Sequence, residues 1–290
     1  MGEIRNGRLS LGLAPEVGGS VASFRRDQVD LMRPLSDADR AARKVVGAAM
    51  FPMAPYANRI AGNAFTFEGE AYRFLPNNSP EKFNVHGTAW HLPWREQILA
   101  ADEALLTLEH LPADGPYRYA ATQRFQLDSD TLTVTTMIEN RGQRRMPFGF
   151  GQHPWFIRDP DVLVQFDAKA LWIEGWDNTA SERIATPPEF SFATRRLPEA
   201  RRNNCYGLWD RRVDIAWPSR GVALHIAADP VFKHLMFYAD PAQPTFCIEP
   251  QTNATCAFNL PPEDGYDLGI IVLEPGASVS GAIRFVTRSV

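Results

Sequence analysis

The 290-residue chain has only three cysteines, Cys205, Cys247 and Cys256. An odd number without CxxC spacing argues against a disulfide framework and a zinc knuckle. A reducing compartment, the cytoplasm, is the expected one. Each cysteine lies among apolar or aromatic neighbours and reads as a small core residue. No run of ~18 apolar residues exists, so neither a transmembrane helix nor a membrane partner is expected. Met1 to Leu13 lacks a basic run followed by an apolar core, so no secretory leader is expected. Basic clusters are scarce. The longest, Arg195-Arg196 followed by Arg201-Arg202, reads as a solvated loop, and the formal net charge of −4 argues against a nucleic-acid partner. No GxGxxG or GxxxxGK[ST] occurs, so a nucleotide fold has no support. Internal repeats and low-complexity linkers are absent too, and residues 1–290 read as a single domain.

Breakers, by contrast, are plentiful. The 23 prolines and 20 glycines are spread along the whole chain and leave little room for helices of ten or more residues. One short helix is expected over Ser36 to Lys44, where Ser36 with Asp39 three residues on resembles a capping box and the basic end suits the helix dipole. Elsewhere the period is two. Leu132, Val134, Thr136 and Ile138 share one parity, as do Val222, Leu224 and Ile226, and Val279, Ile283 and Phe285. Shorter apolar runs fall at Val162–Phe166, Val213–Trp217, Leu235–Tyr238, Phe246–Ile248 and Leu268–Leu273. Turn residues such as Asn140-Arg141-Gly142 and Pro218-Ser219-Arg220-Gly221 separate them. Many short strands at this spacing predict an all-β protein, a sandwich or barrel.

Three segments stand out chemically. The first runs from Phe51-Pro52-Met53 through Asn58-Arg59-Ile60-Ala61-Gly62 and on to Asn84-Val85-His86-Gly87. The second is Phe148-Gly149-Phe150-Gly151-Gln152-His153-Pro154-Trp155-Phe156. The third is Cys247-Ile248-Glu249-Pro250-Gln251, followed by Cys256-Ala257-Phe258-Asn259. His153 and Glu249 each precede a proline, which lacks an N–H and tends to stop a central strand, so both side chains are expected at strand ends near a sheet rim. In an extended Thr245–Glu249, Phe246 and Ile248 face the core while Thr245, Cys247 and Glu249 face the other way. In an extended Phe148–His153, Gly149, Gly151 and His153 share a face and leave open space for a flat ligand. Taken singly, each residue has a plainer reading. A histidine before proline is commonly a hydrogen-bonded structural group, a strand-end glutamate a surface charge, Asn58-Arg59 a turn and His86 a loop histidine.

Taken together and in this order, the segments resemble the aldose 1-epimerase (galactose mutarotase) family over nearly the whole chain, from Leu11-Gly12-Leu13-Ala14-Pro15 to Leu273-Glu274-Pro275-Gly276. Asn203-Asn204-Cys205-Tyr206-Gly207-Leu208-Trp209-Asp210 is similar to a bacterial subgroup. The resemblance implies a large antiparallel β-sandwich with a sugar site on one sheet face. It implies Glu249 as general base, His153 as general acid and His86 as a second contact near the reacting centre, with Arg59 and Asn58 holding sugar hydroxyls. Two departures bear on specificity. Asn203 stands where many relatives carry a sugar-binding aspartate, and Met236 where many carry a glutamine.

The implied activity is that of an isomerase converting α and β anomers of a free aldose. Opening the C1–O5 bond needs one base for the C1 hydroxyl and one acid for O5, placed at opposite sides of C1, and closure reverses the path. No metal or organic cofactor is expected, and the only partner is a small sugar, bound by a monomer or a homodimer. Trp90, Trp94, Trp155 and Trp172 are candidates to stack on it, although core packing is the commoner role for each taken singly. Two rival readings stay open: a non-catalytic sugar-binding protein on the same fold, and a metal enzyme using His86, His153 and Glu249. The second lacks any HxH, HxxxH or HExxH pair.

Overall fold

A computed structural model describes residues 2–261 and 266–290, except for the side chains of Ser181, Thr194 and Arg195. The expectation for the Arg195 side chain therefore lies outside the described residues. Period-two alternation is realised wherever the sequence carries it. Thr131–Asn140, Val222–Ala228 and Ser278–Ser289 are strands. So are Leu163–Phe166, Arg212–Trp217, His234–Ala239, Thr245–Gln251 and Ile271–Leu273. Leu268 to Ile270 stay outside the last of these.

The strands form two large antiparallel sheets, of eleven and nine strands among the described residues. They are packed as a sandwich. Phe24 of one sheet meets Phe285 of the other edge-on at 6.4 Å, and Phe156 meets Trp217 at 6.3 Å. Gln152 crosses the same interface, its amide nitrogen donating to Gln123 at 2.9 Å and Thr136 at 3.0 Å, while its buried Oε1 has no protein partner.

The sole α-helix among the described residues is Asp37–Ala41. Ser36 caps it by accepting from the Asp39 N–H at 3.1 Å. The helix is shorter than the expected Ser36 to Lys44. Its C-cap is Ala42, and Arg43 takes a φ of 50°, a left-handed conformation that ends the helical run. Among the described residues no helix is long and apolar enough to cross a membrane.

While Arg59–Ile60 and Asn84–Val85 form a short ladder of their own, the eleven-stranded sheet carries most of the unusual segments. Its centre contains, in spatial order, Met50–Met53, Gly151–Ile157, Thr245–Gln251, His234–Ala239, Arg202–Trp209 and Ala168–Glu174. Two expectations fail here. His153 and Glu249 are not at strand ends, because both strands continue through the following proline. The ladder between them is paired at Gly151↔Gln251 and again at Trp155↔Cys247, and it opens in between, where Pro154 and Pro250 lie. The missing donors are thus confined to one gap in the ladder. Nor do the glycines leave open space beside His153. A Cβ on Gly149 would meet Asn253 Oδ1 at 2.0 Å, and one on Gly151 would meet the Pro250 carbonyl at 2.7 Å. Gly149 also lies outside the strand, between Met146–Phe148 and Gly151–Ile157. These glycines permit close backbone approach.

Candidate functional site

Strand register assembles the site. On the sheet face turned away from the sandwich core, Phe51 pairs with His153. The pairs flanking the ladder gap set His153 opposite Glu249. Glu249 pairs with Met236, Met236 with Cys205, and Cys205 with Trp172. One straight row thus crosses six strands. The parity expected for Thr245–Glu249 holds: Phe246 and Ile248 enter the core, and Glu249 looks out with Thr245 into a cavity of about 610 Å3.

At the cavity floor, His153 Nε2 lies 3.1 Å from Glu249 Oε1. The two residues are 8% and 2% exposed, so each group's charge is poorly solvated. Burial pushes the Glu249 carboxyl up to about 8 and pulls the His153 imidazole down to about 3. The pair therefore holds one proton across the neutral range, lying toward the carboxyl. Glu249 Oε2 and His153 Nδ1 are buried without protein hydrogen-bond partners. The imidazole is sandwiched between Phe51 at 4.4 Å and Trp155 at 5.1 Å. Acid and base candidates are adjacent here, not at opposite sides of a ligand as expected, because neighbouring strands present them side by side.

His86 stands edge-on to His153 at 5.4 Å. Its position comes from a short ladder in which Arg59 pairs with Val85 and Ile60 with Asn84. Asn58 and His86 flank that ladder, both in the left-handed region at φ of 62° and 59°. Such conformations cost about 1 kcal/mol or more each and persist where surroundings over-determine them. Here the Asn58 N–H donates to His86 Nδ1 at 3.0 Å, and the His86 N–H donates to the Asn58 carbonyl at 2.9 Å. Because Nδ1 is an acceptor, the proton of neutral His86 sits on Nε2. Burial, then the nearby His153 and Arg59, hold this imidazole well below its usual range, which fixes His86 as a neutral donor.

Arg59 and Asn58 both line the cavity. Arg59 is clamped by Glu81, with Nη2 at 2.6 Å and Nε at 3.1 Å from one carboxylate oxygen. Asn58 spends its side-chain oxygen on Arg59, accepting from the Arg59 N–H at 3.0 Å. Asn203 reaches the cavity too, with its amide donating to Glu174, which Arg201 holds at 2.9 Å. The departure at Asn203 thus leaves an amide in the cavity, with the Glu174 carboxylate behind it on the neighbouring strand. Arg201 is exposed and outside any strand, as the solvated-loop reading of its cluster expects, and meets Glu174 at the edge of the cavity, whereas Arg196 and Arg202 lie in strands. Met236 lies beside Glu249. Of the four tryptophans, Trp90 and Trp155 line the cavity, while Trp94 and Trp172 are core residues.

A metal was weighed through His86, His153 and Glu249, but His86 turns its Nδ1 to Asn58. The donors that converge are His153, Cys247 and Glu249, all buried, with ligand atoms within 4.8 Å of one another. Ligation requires deprotonated donors, and burial holds the Cys247 thiol well above its usual value and raises the Glu249 carboxyl, so a metal at this set would have to displace their protons. All three cysteines are buried and free, as expected. The sequence reading passed over Arg33, Glu81 and Tyr238, all of which line the cavity. No local motif marks them, and pairing of distant segments is what brings them in.

Comparison with known proteins agrees with this architecture. The family model described as Aldose 1-epimerase matches residues 3–286. The uncharacterized protein YphB of Escherichia coli K12 is 32% identical over 286 residues, 96% of this chain and 95% of that protein. A crystal structure of a candidate aldose 1-epimerase from Escherichia coli K12 superposes with a TM-score of 0.91 at 30% identity, covering 99% of this chain and 98% of that one. A galactose 1-epimerase from Lactobacillus acidophilus shares the fold with a TM-score of 0.79 at 16% identity, covering 99% and 93% of the two chains.

Proposed function

The chain belongs to the aldose 1-epimerase family, and on that premise we propose that it interconverts the α and β anomers of an aldose by proton transfer through Glu249 and His153. The observation that carries this reading is the buried 3.1 Å contact between the two groups at the cavity floor, with one free nitrogen and one free oxygen beside it.

The two oxygens on the anomeric carbon are close neighbours, so an acid and a base side by side can each meet one of them. With the sugar edge-on, its C1 hydroxyl faces Glu249 and its ring oxygen O5 faces His153. Between the two side chains alone, the shared proton rests toward the carboxyl. The reactive form, carboxylate and imidazolium, is one proton shift away, and hydrogen bonds from sugar hydroxyls to the carboxylate favour it. Glu249 then takes the C1 hydroxyl proton while the C1–O5 bond breaks and His153 protonates O5. The aldehyde turns about C1–C2. On closure O5 attacks the other face of C1, returns its proton to His153, and the carbonyl oxygen recovers one from Glu249. The pair ends as it began. Such acid and base groups typically contribute ~10²–10⁴ in rate. His86 offers its Nε2–H to a sugar oxygen, and Arg59, fixed by Glu81 and Asn58, orients hydroxyls.

The test is polarimetric relaxation of freshly dissolved single anomers of hexoses and pentoses, run alongside binding followed by tryptophan fluorescence. Accelerated relaxation is expected. Binding without acceleration would make the chain a sugar-binding protein instead.

A further inference from the structure

One cavity-lining cation has no role in the proton transfer just described. The segment Leu31-Met32-Arg33-Pro34 runs beside the Gly151–Ile157 strand, with Met32 bridging to Phe156 and the Arg33 N–H donating to the Trp155 carbonyl at 2.8 Å. This lays the Arg33 guanidinium over the Trp155 ring, 4.6 Å from its centroid. Nη2 is anchored on the carbonyls of Val46 and Ala48. Nε is buried and has no partner.

The neighbouring cations are neutralised. Arg59 is 2.6 Å from Glu81, Arg201 is 2.9 Å from Glu174, and Lys44 is 3.6 Å from Asp39. Arg33 makes no ion pair among the described residues, although it is largely withdrawn from water. Burial draws it below its usual value, outweighing the opposing pull of Asp39, which lines the same cavity. With Nη2 committed to two carbonyls and Nε buried, Nη1 is the nitrogen left to meet a ligand, and the cation held flat on the Trp155 ring can offer it, with its charge, to a carboxylate or phosphate.

Its place relative to the reacting centre is specific. Trp155 is stacked between Arg33 and His153, so Arg33 lies on the His153 side of the pair, away from Met236. His153 faces O5 in the proposed pose. The carbon next to O5 on the far side from C1 is C5, and the exocyclic C6 group hangs from it. In that pose the C6 group extends past the His153 side of the pair, the side on which Trp155 and Arg33 lie.

We propose that Arg33 receives an anionic group on the far side of the sugar from C1, so that the substrate is an aldose bearing a phosphate or a carboxylate at C6. This inference rests on the mutarotase reading and narrows it to a substrate class.

Exchange NMR on wild-type protein compares glucose with glucose 6-phosphate and glucuronate, and galactose with its two matching anions. In at least one series an anionic member should exceed its neutral parent in kcat/KM by tenfold or more at low salt, with the advantage shrinking as salt rises. The phosphate and carboxylate arms separate the two sources of charge. Arg33→Gln should reduce that selectivity ratio at least tenfold, and Arg33→Lys, which keeps charge but loses the planar stack on Trp155, should retain part of it. Neutral sugars exchanged as fast as or faster than both anions in wild type would overturn the proposal and leave the mutarotase reading standing. If no sugar is exchanged the mutarotase reading fails, and calorimetric binding then judges Arg33 alone: anions bound no tighter than their neutral parents would end the proposal. Should the variants fail to fold, the wild-type ratio and its salt dependence still decide.

Discussion

Replacing the buried carboxyl of Glu249 by an amide should make the protein more stable while removing its activity. The side chain is 2% exposed, and burial raises it from 4.5 to about 8. Below pH 4.5 the folded and unfolded chains both hold this proton, and the group costs nothing. Between pH 4.5 and 8 the unfolded chain ionises and the folded chain does not, so stability from this residue is lost as pH rises through that window. At about 1.4 kcal/mol per pH unit, the loss reaches about 3 kcal/mol by pH 7. Glu249→Gln keeps the shape, and its amide N–H can donate to His153 as the carboxylic acid does, but it has no charge to release on unfolding. The variant should therefore gain about 3 kcal/mol at pH 7, or roughly 5–10 °C in Tm. The gain should vanish near pH 4.5 and level off above pH 8. Urea unfolding of both proteins from pH 4.5 to 8.5 measures it. A variant less stable than wild type at pH 8, or a gain independent of pH, would refute a desolvated, proton-holding carboxyl.

His153→Asn should lower kcat by about a hundredfold or more with little change in KM, because it removes proton transfer but keeps a polar group; a change confined to KM would transfer the acid role to His86. EDTA-treated protein should keep its anomerisation rate, and activity restored only by added zinc or iron would make His153, Cys247 and Glu249 metal ligands instead. Asn203→Asp should alter the ranking of sugars by kcat/KM while exchange continues, and Glu174→Gln beside it should relieve the new contact between like charges; an unchanged ranking would place Asn203 away from the substrate.

The fold was legible because burial on one sheet face writes alternation directly into the chain, as at Leu132, Val134 and Ile138, all buried in the core. The orientation of Glu249 followed from the same parity. What the sequence does not carry is register between distant strands. That Phe51, His153, Glu249 and Met236 form one row depends on pairings across nearly two hundred residues of chain. The prolines misled for a physical reason: a ladder with outer neighbours on both strands tolerates a local gap, so Pro154 and Pro250 opened the ladder without ending the strands. Gly149 and Gly151 misled because a missing side chain can mean close packing as readily as empty space. Arg33 carried no signal, since the role of a surface-type cation is set by whichever carboxylate or cavity the fold brings to it.

The most direct test of the central claim is magnetisation-transfer NMR between the α and β C1 protons of an aldose pair, neutral and anionic, with wild-type and Glu249→Gln protein at equal concentration. The account predicts that wild type accelerates exchange and that the folded Gln variant loses ~10²–10⁴ of that acceleration. Exchange at the spontaneous rate with wild type, or near-wild-type exchange with the variant, would contradict it.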